Sequence, residues 1–407
     1  MTIRLNSSTS GYTELDAPAI GGNNTLRLPG DNGTSGYLMQ TDGSGNLSWC
    51  DPSSLLSPYR NRVINGDMRI DQRNAGAAVS ISNNTLWPVD RFPVSSVCDG
   101  VISGQRSSVA PAGFTNSLLI TVTTADATIG ATQYNMIRQV IEGFNVADLG
   151  WGSADAQTVT LSFWVRSSVT GTFGGAVQNA SENRAYAFTY SIAVANTWEK
   201  KTITIPGDTT GTWAKDNTQG MIINWSLGVG TTYSSTANSW AAQSSFSATG
   251  STALLNTLNA TFYITGVQLE AGTVATPFER RSYGHELSLC QRYCFRFGAI
   301  VGASGGHVYP RFPLGFAVSA TEAYIIFEHP VPMRSQARSL VTTAPNGIEI
   351  ITGGYVDTSF TTSLGSDTNT DTTTFIAFGS ISTTASSVFV ARFYNSASAN
   401  FLVSAEL

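Results

Sequence analysis

Charge is scarce in this chain. Asp, Glu, Lys and Arg make up only 12% of its 407 residues, about half the share usual in globular domains. Lysine is nearly absent, with 3 among the 22 basic residues. The arginines that remain suit interfacial ion pairs and flat stacking contacts better than a solvated coat. A net charge of −5 argues against binding nucleic acid through its phosphates. Four cysteines, Cys50, Cys98, Cys290 and Cys294, are too few and too scattered for a disulfide framework. Cys290 and Cys294 lie four apart but supply only half of the four ligands a structural zinc needs. Buried free thiols are expected instead, with no metal and no cofactor. Of the three histidines, His285, His307 and His329, none sits in an HExxH. Gly302–Gly306 lacks the lysine of a phosphate loop, and no GxGxxG opens a helix. No apolar run reaches the length of a membrane span, and Met1–Ser10 has no basic-plus-apolar leader. The expectation is a chain neither exported by a signal nor inserted in a bilayer.

What is present is Gly, Ser, Thr and Asn, with 10% aromatics. Aromatic and β-branched residues are too plentiful for disorder, and the pattern is that of a turn-dense all-β protein. The length implies two or three domains. Residues 1–57 carry short apolar pairs (Leu26 and Leu28, Tyr37 and Leu38, Leu47 and Trp49) cut by Gly-Gly, Pro-Gly, Asn-Gly and Asp-Gly turns. So few apolar residues cannot bury a core, so the region must pair with other chains or another protein. Residues 58–283 read as strand after strand: Leu118–Thr123, Thr158–Arg166, Ala185–Ile192, Glu199–Ile205, Gly220–Leu227 and Leu258–Leu269, the last with a slip at Gly266. Tyr134–Ile141 also reads best as a strand. Along 158–166 one face takes Val159, Leu161, Phe163 and Val165, the other Thr160, Ser162, Trp164 and Arg166. Eight or more antiparallel strands imply a jelly-roll β-sandwich. Residues 284–294 are a linking-helix candidate, with Leu287, Cys290, Gln291 and Cys294 on one face. They suit either a three-fold axis or packing on the chain's own sandwich. Residues 295–407 read as about eight further short strands, a second sandwich.

Several segments resemble those of bacteriophage, cyanophage-like, tail fibre and receptor-binding proteins. These are the strand, turn and helix of FYITGVQLEAGTVATPFERRSYGHELSLCQRYC (262–294), the segment RNRVINGDMRIDQRNAG (60–76) with WPVDRF (87–92), the N-terminal TLRLPGDNGTSGYLMQTDGSGNLSW, and PMRSQARSLVTT with a terminal AEL. Ala337 stands where the resembling pattern has proline. The resemblance implies a virion tail fibre protein made in the host cytoplasm. It implies a slender N-terminal β stalk that attaches to the tail, baseplate or an adaptor. It places the first sandwich strand at RNRVING, gives the middle sandwich a shape like a carbohydrate-binding module, and makes the C-terminal domain the receptor tip.

Sugar rings stack on aromatic faces beside polar groups. Trp213, Tyr233 and Trp240 lie in loop-like Ser/Thr/Asn-rich surroundings. His307, Tyr309, Phe312, Tyr355 and Phe360 fall at expected turns of the last domain. These are the candidate residues for a host surface polysaccharide or lipopolysaccharide. Trp164, Trp198 and Trp225 are assigned to core or inter-subunit packing. Leu26, Leu28, Leu38, Leu47, Trp49 and Leu287 are the candidates for homotrimer or attachment contacts. Asp148, Asp155, Glu182, Glu199 and Asp216 form no local motif for the paired acids of a glycosidase, so no enzymatic activity and no catalytic residue is expected. A glycan-degrading tailspike and a passive virion spacer are the alternatives.

Overall fold

The computed structural model describes residues 25–41, 43–50 and 59–297, plus shorter segments elsewhere, chiefly strands, including 3–6, 12–15, 329–335 and 401–406. The chain divides into two compact units, Met1–Arg60 and Asn61–Leu407.

The first unit holds two antiparallel pairs, β1 (Ile3–Asn6) with β2 (Tyr12–Leu15), and β3 (Leu38–Thr41) with β4 (Leu47–Cys50). Gly43 and Gly45 take positive φ in the turn that joins the second pair, where a side chain would be strained. Leu26, Leu28 and Leu38 are exposed, at 67%, 73% and 53%. Leu47 and Trp49 are half-buried. The Trp49 indole donates to Asp31 O at 3.1 Å.

The second unit is dominated by a double sheet. Its strands are β5 (Val79–Ile81), β6 (Thr85–Val89), β7 (Phe92–Val97), β8 (Val101–Ser107), β9 (Ser117–Thr124), β10 (Tyr134–Glu142), β11 (Val159–Ser167), β12 (Gly171–Gln178), β13 (Ala185–Ile192), β14 (Glu199–Ile205), β15 (Gln219–Val229), β16 (Ser234–Ser235), β17 (Ser239–Ala241), β18 (Ser247–Ala248) and β19 (Thr261–Ala271). One sheet runs β17-β13-β12-β15-β10-β7-β6 and the other β14-β11-β19-β9-β8-β5. The chain changes sheet between β9 and β10 and again between β10 and β11, β11 and β12, and β13 and β14, which is the habit of a jelly-roll. Alternation builds the core between the sheets. Val159, Leu161, Phe163 and Val165 of β11 are fully buried, as are Met221, Ile223, Trp225 and Leu227 of β15. Trp225 lies edge-on to Phe163, with centroids 5.9 Å apart.

The segment expected to open the sandwich as a strand, RNRVING, is not one. The first strand of the double sheet is β5. Residues 61–78 fold as turns, largely buried as far as Asp71 and exposed at Ala75, Ala77 and Ala78, because Asn65 and Met68 adopt positive φ. The Asn65 amide bonds Ile70 N and O and Asp90 O at 2.8–2.9 Å. Asp90 and Arg91 are the buried two-residue turn between β6 and β7.

Helix α1 (Tyr283–Gln291) follows, capped by the Ser282 hydroxyl. It ends before Cys294, which opens β20 (Cys294–Phe297). The helical face expected through Cys294 is therefore one turn shorter. Cys290 and Tyr293 pack on Ile64 and Ile70, with Leu287 half-buried beside them, so α1 lies against its own domain. Both Cys290 and Cys294 are buried free thiols, and burial pushes their pKa upward.

Beyond it lie β21 (His307–Val308), β22 (Leu314–Ala317), β23 (Glu322–Glu328), β24 (Ser339–Thr342), β25 (Ile348–Thr352), β26 (Tyr355–Asp357), β27 (Thr361–Leu364), β28 (Thr372–Phe378), β29 (Val388–Tyr394) and β30 (Phe401–Ser404). One sheet runs β26-β25-β29-β22-β23-β28-β27, with β21 on β29, and a second runs β20-β30-β24. The end of β30 is fastened to the double sheet by buried charges. Glu406 pairs with Arg73 at 3.0 Å and with Arg91. The Arg91 guanidinium lies 3.6 Å from the centre of the Tyr293 ring. Arg292 and the Tyr293 hydroxyl both donate to Glu142.

Candidate functional site

The two sheets present very different outer faces. That of the seven-stranded sheet is roofed. The strap carrying β16 and β18 crosses it, with β18 lying over β12, β13 and β15. A Cβ on Gly174 would meet Ser251 Oγ at 2.2 Å and Ser247 Oγ at 2.5 Å, so the strap sits directly on the sheet. Asn224 and Gln178 beneath are wholly buried.

The outer face of the six-stranded sheet is open in part: Thr160, Ser162, Gln268 and Glu270 at one end of β11 and β19 are buried, and the other end is not. The alternation that buries Phe163 turns Trp164 and Arg166 outward, where both are half-exposed. Register carries the face across the sheet: Arg166 pairs with Tyr263, and Trp164 with Thr265 of β19 and Lys200 of β14. Trp198, just before β14, lies with its ring centroid 6.0 Å from Tyr263, at 66°. The Arg166 guanidinium stands 5.1 Å from the Tyr263 ring centre, held there by a 2.8 Å bond from its Nε to Asn196 O. At Gly266 a bulge breaks the β11–β19 register, and the glycine takes φ +61°. Phe114 Cζ and Trp164 Cδ1 stand 2.7 and 3.0 Å from where its Cβ would be, so the bulge lets these rings meet. Phe114 lies edge-on to Phe278 at 5.2 Å, and the Arg280 guanidinium is 4.8 Å from Phe114. The result is a diagonal strip of five half-exposed rings, Trp198, Tyr263, Trp164, Phe114 and Phe278, with Arg166, Lys200 and Arg280 along it. It crosses from β14 to β9, three inter-strand steps or about 15 Å. Leu119 and Gln105 continue the face beside Tyr263.

The aromatics singled out from the sequence lie elsewhere. Trp213 is not an exposed loop residue. It is 7% exposed, its indole donates to Asp208 Oδ2 at 3.0 Å, and Trp151 meets it edge-on at 4.7 Å. Trp240, half-buried on the edge strand β17, joins the same cluster, 5.9 Å from Trp213. Its Nε1 donates to Pro206 O, and Arg184 lies 5.5 Å from its ring. Burial raises the Asp208 pKa, but donors from Arg184 and Trp213 outweigh it and hold the carboxyl below its ordinary value. In this cluster Trp213 is buried, while Trp240 keeps part of its surface exposed. Tyr233 is apart from it, stacked on Phe246 at 4.7 Å and edge-on to Tyr134. His307 and Tyr355, expected at turns, lie in strands β21 and β26, because each pairs in register, His307 with Tyr394 and Tyr355 with Thr352. Tyr309, Phe312 and Phe360 lie outside the described residues. Among the described residues no group of three His, Cys, Asp or Glu side chains is placed to hold a metal.

Trp164 and Trp198 are the residues that sequence reasoning assigned to packing. The signal for Trp164 was already in the period-2 pattern, which puts it opposite Phe163. Trp198 and Phe114 carry no such signal, because both lie in connections.

No family model matches the sequence, and no curated protein matches it. Solved structures similar in shape include the enzymatically active domain of a tailspike protein of bacteriophage CBA120, with TM-score 0.29 and 14% identity, over 53% of this chain and 22% of that one. A putative sugar-binding protein from Bacteroides thetaiotaomicron gives 0.30 and 11%, over 52% and 100%. A family 11 carbohydrate-binding module from Clostridium thermocellum gives 0.24 and 16%, over 49% and 99%.

Proposed function

We propose that this chain is a virion tail fibre protein that binds a host surface glycan through the open strip of its double sheet, without cleaving it. The observation that carries the reading is the row of five half-exposed rings interleaved with guanidinium groups. Ring faces supply flat, weakly hydrated platforms for the C–H faces of sugars, and arginines supply directional donors to their oxygens. The viral part of the reading rests on the resemblance of the segments at 60–76, 87–92 and 262–294 to phage fibre sequences. The exposed Leu26, Leu28 and Leu38 of the first unit favour assembly as a homotrimer, attached to the tail through that unit. Several weak sites on one assembly then bind by avidity.

Incubating the purified chain with host surface polysaccharide tests this. Saturable binding with no release of reducing ends is expected. Release would support the glycan-degrading alternative, and absence of both would favour a spacer.

A further inference from the structure

Cations on the double sheet are mostly committed to carboxylates. Arg62 pairs with Asp148, Arg138 with Glu182, Arg184 with Asp208 and Arg292 with Glu142, all at 2.6–2.8 Å. The strip is different. Arg166 and Arg280 donate to main-chain carbonyls, Asn196 O at 2.8 Å and Gly113 O at 2.5 Å, and lie on aromatic rings. Such contacts orient a guanidinium while leaving its charge uncompensated. Lys200 is exposed and is one of only 3 lysines in the chain. The nearest acid in sequence, Glu199, points to the other side of β14 by alternation. It is held there by Lys201 at 2.6 Å and by the amides of Ala193 and Val194 at 3.0 Å. The outward residues of β8, β9, β11 and β14 include no carboxylate. Glu270, on the same face of β19, is buried and accepts from Thr276 and Gln268. A chain of net charge −5 thus places on this aromatic strip three cations with no carboxylate partner among the described residues.

We infer that the ligand of this strip is an anionic polysaccharide, one bearing carboxylate or phosphate groups that Arg166, Lys200 and Arg280 meet while the rings take the sugar faces. The inference rests on the reading of the strip as a glycan site. A neutral glycan would leave three desolvated cations without a counter-charge, whereas an anionic one gains a charge-assisted hydrogen bond at each.

The test uses the full chain on an array of neutral, uronate-bearing and phosphorylated oligosaccharides, followed by calorimetry on the strongest ligand and on its carboxyl-reduced or dephosphorylated form. The expected hits are anionic, with the neutralised form bound at least about tenfold more weakly. Affinity should fall as salt rises from about 0.01 to about 0.1 M. Arg166→Gln and Lys200→Gln should each weaken binding about tenfold, while Lys215→Gln, outside the strip, leaves it unchanged. The array separates carboxylate from phosphate ligands. Equal affinity for the charged and neutralised forms would overturn this inference and leave the glycan reading standing. Absence of glycan binding, or binding that survives Trp198→Ala, would remove both.

Discussion

Trp213 and Trp198 each follow a threonine in the sequence, yet they differ in what they can touch. Trp213 has its indole hydrogen satisfied by Asp208 and its faces taken by Trp151 and Trp240. Trp198 keeps part of its ring toward solvent beside Tyr263. Replacing Trp198 or Tyr263 by alanine should abolish measurable glycan binding while moving the melting temperature little. Trp225→Ala should instead cost about 3–5 kcal/mol, because a fully buried ring leaves a cavity. Thermal melts run beside binding assays on the three variants check this. Asp90 gives a second residue-scale expectation. Burial pushes its carboxyl up to about 6, against the opposing pull of Arg73 and the Gln72 hydrogen bond. Its folded pKa therefore exceeds its unfolded value of 3.8, so the folded state holds the proton that the unfolded state releases. Its contribution to stability is full below about 4 and falls as pH rises to about 6. Asp90→Asn, which mimics the protonated acid, should match the wild type near pH 4. Near pH 7 it should be the more stable by up to about 3 kcal/mol. Denaturant titrations at the two pH values measure the difference.

At the scale of elements, the strands were legible wherever alternation ran long. Ala185–Ile192 and Glu199–Ile205 have the observed ends, and the slip expected at Gly266 is a β-bulge. Alternation works there because one face is buried in the core and the other is not. It gives no reading at 61–78, where only the resemblance to fibre sequences places a strand, at RNRVING, and where Asn65 and Met68 turn left-handed. The Asn65 amide, bonding to residues 5 and 25 positions away, is invisible to any local pattern. The roofing strap is equally illegible, since Ser, Thr and Ala dominate both its sequence and an ordinary loop's. The open strip was half-readable. Trp164 and Arg166 follow from the period, but Trp198, Phe114 and Phe278 arrive from connections and meet only in three dimensions. The Gly266 bulge ties fold to site. Gly266→Ala must hold a side chain at φ +61° and against Phe114 and Trp164. It should cost about 1–3 kcal/mol and weaken glycan binding by displacing both rings. Chemical denaturation and a binding isotherm on one sample report the two effects.

At the scale of the whole molecule, the buried apolar core of the described residues begins at Val63, so removing residues 1–60 should leave the second unit folded with its melting transition intact. The exposed leucines of the first unit imply that this truncation lowers the oligomeric state. Light scattering should give a trimer mass for the full chain, and a monomer mass for it would contradict the assembly proposed above. On the proposed reading the open part of the six-stranded sheet, and not the tryptophan cluster at Trp151, Trp213 and Trp240, receives the glycan. The chain has 8 tryptophans, and each carries an indole N–H with its own resonance. Titrating isotopically labelled protein with the bound oligosaccharide and following those eight signals distinguishes the two faces. Shifts confined to Trp164 and Trp198 are the expected result. Shifts at Trp213 and Trp240, with Trp164 and Trp198 unmoved, would contradict it.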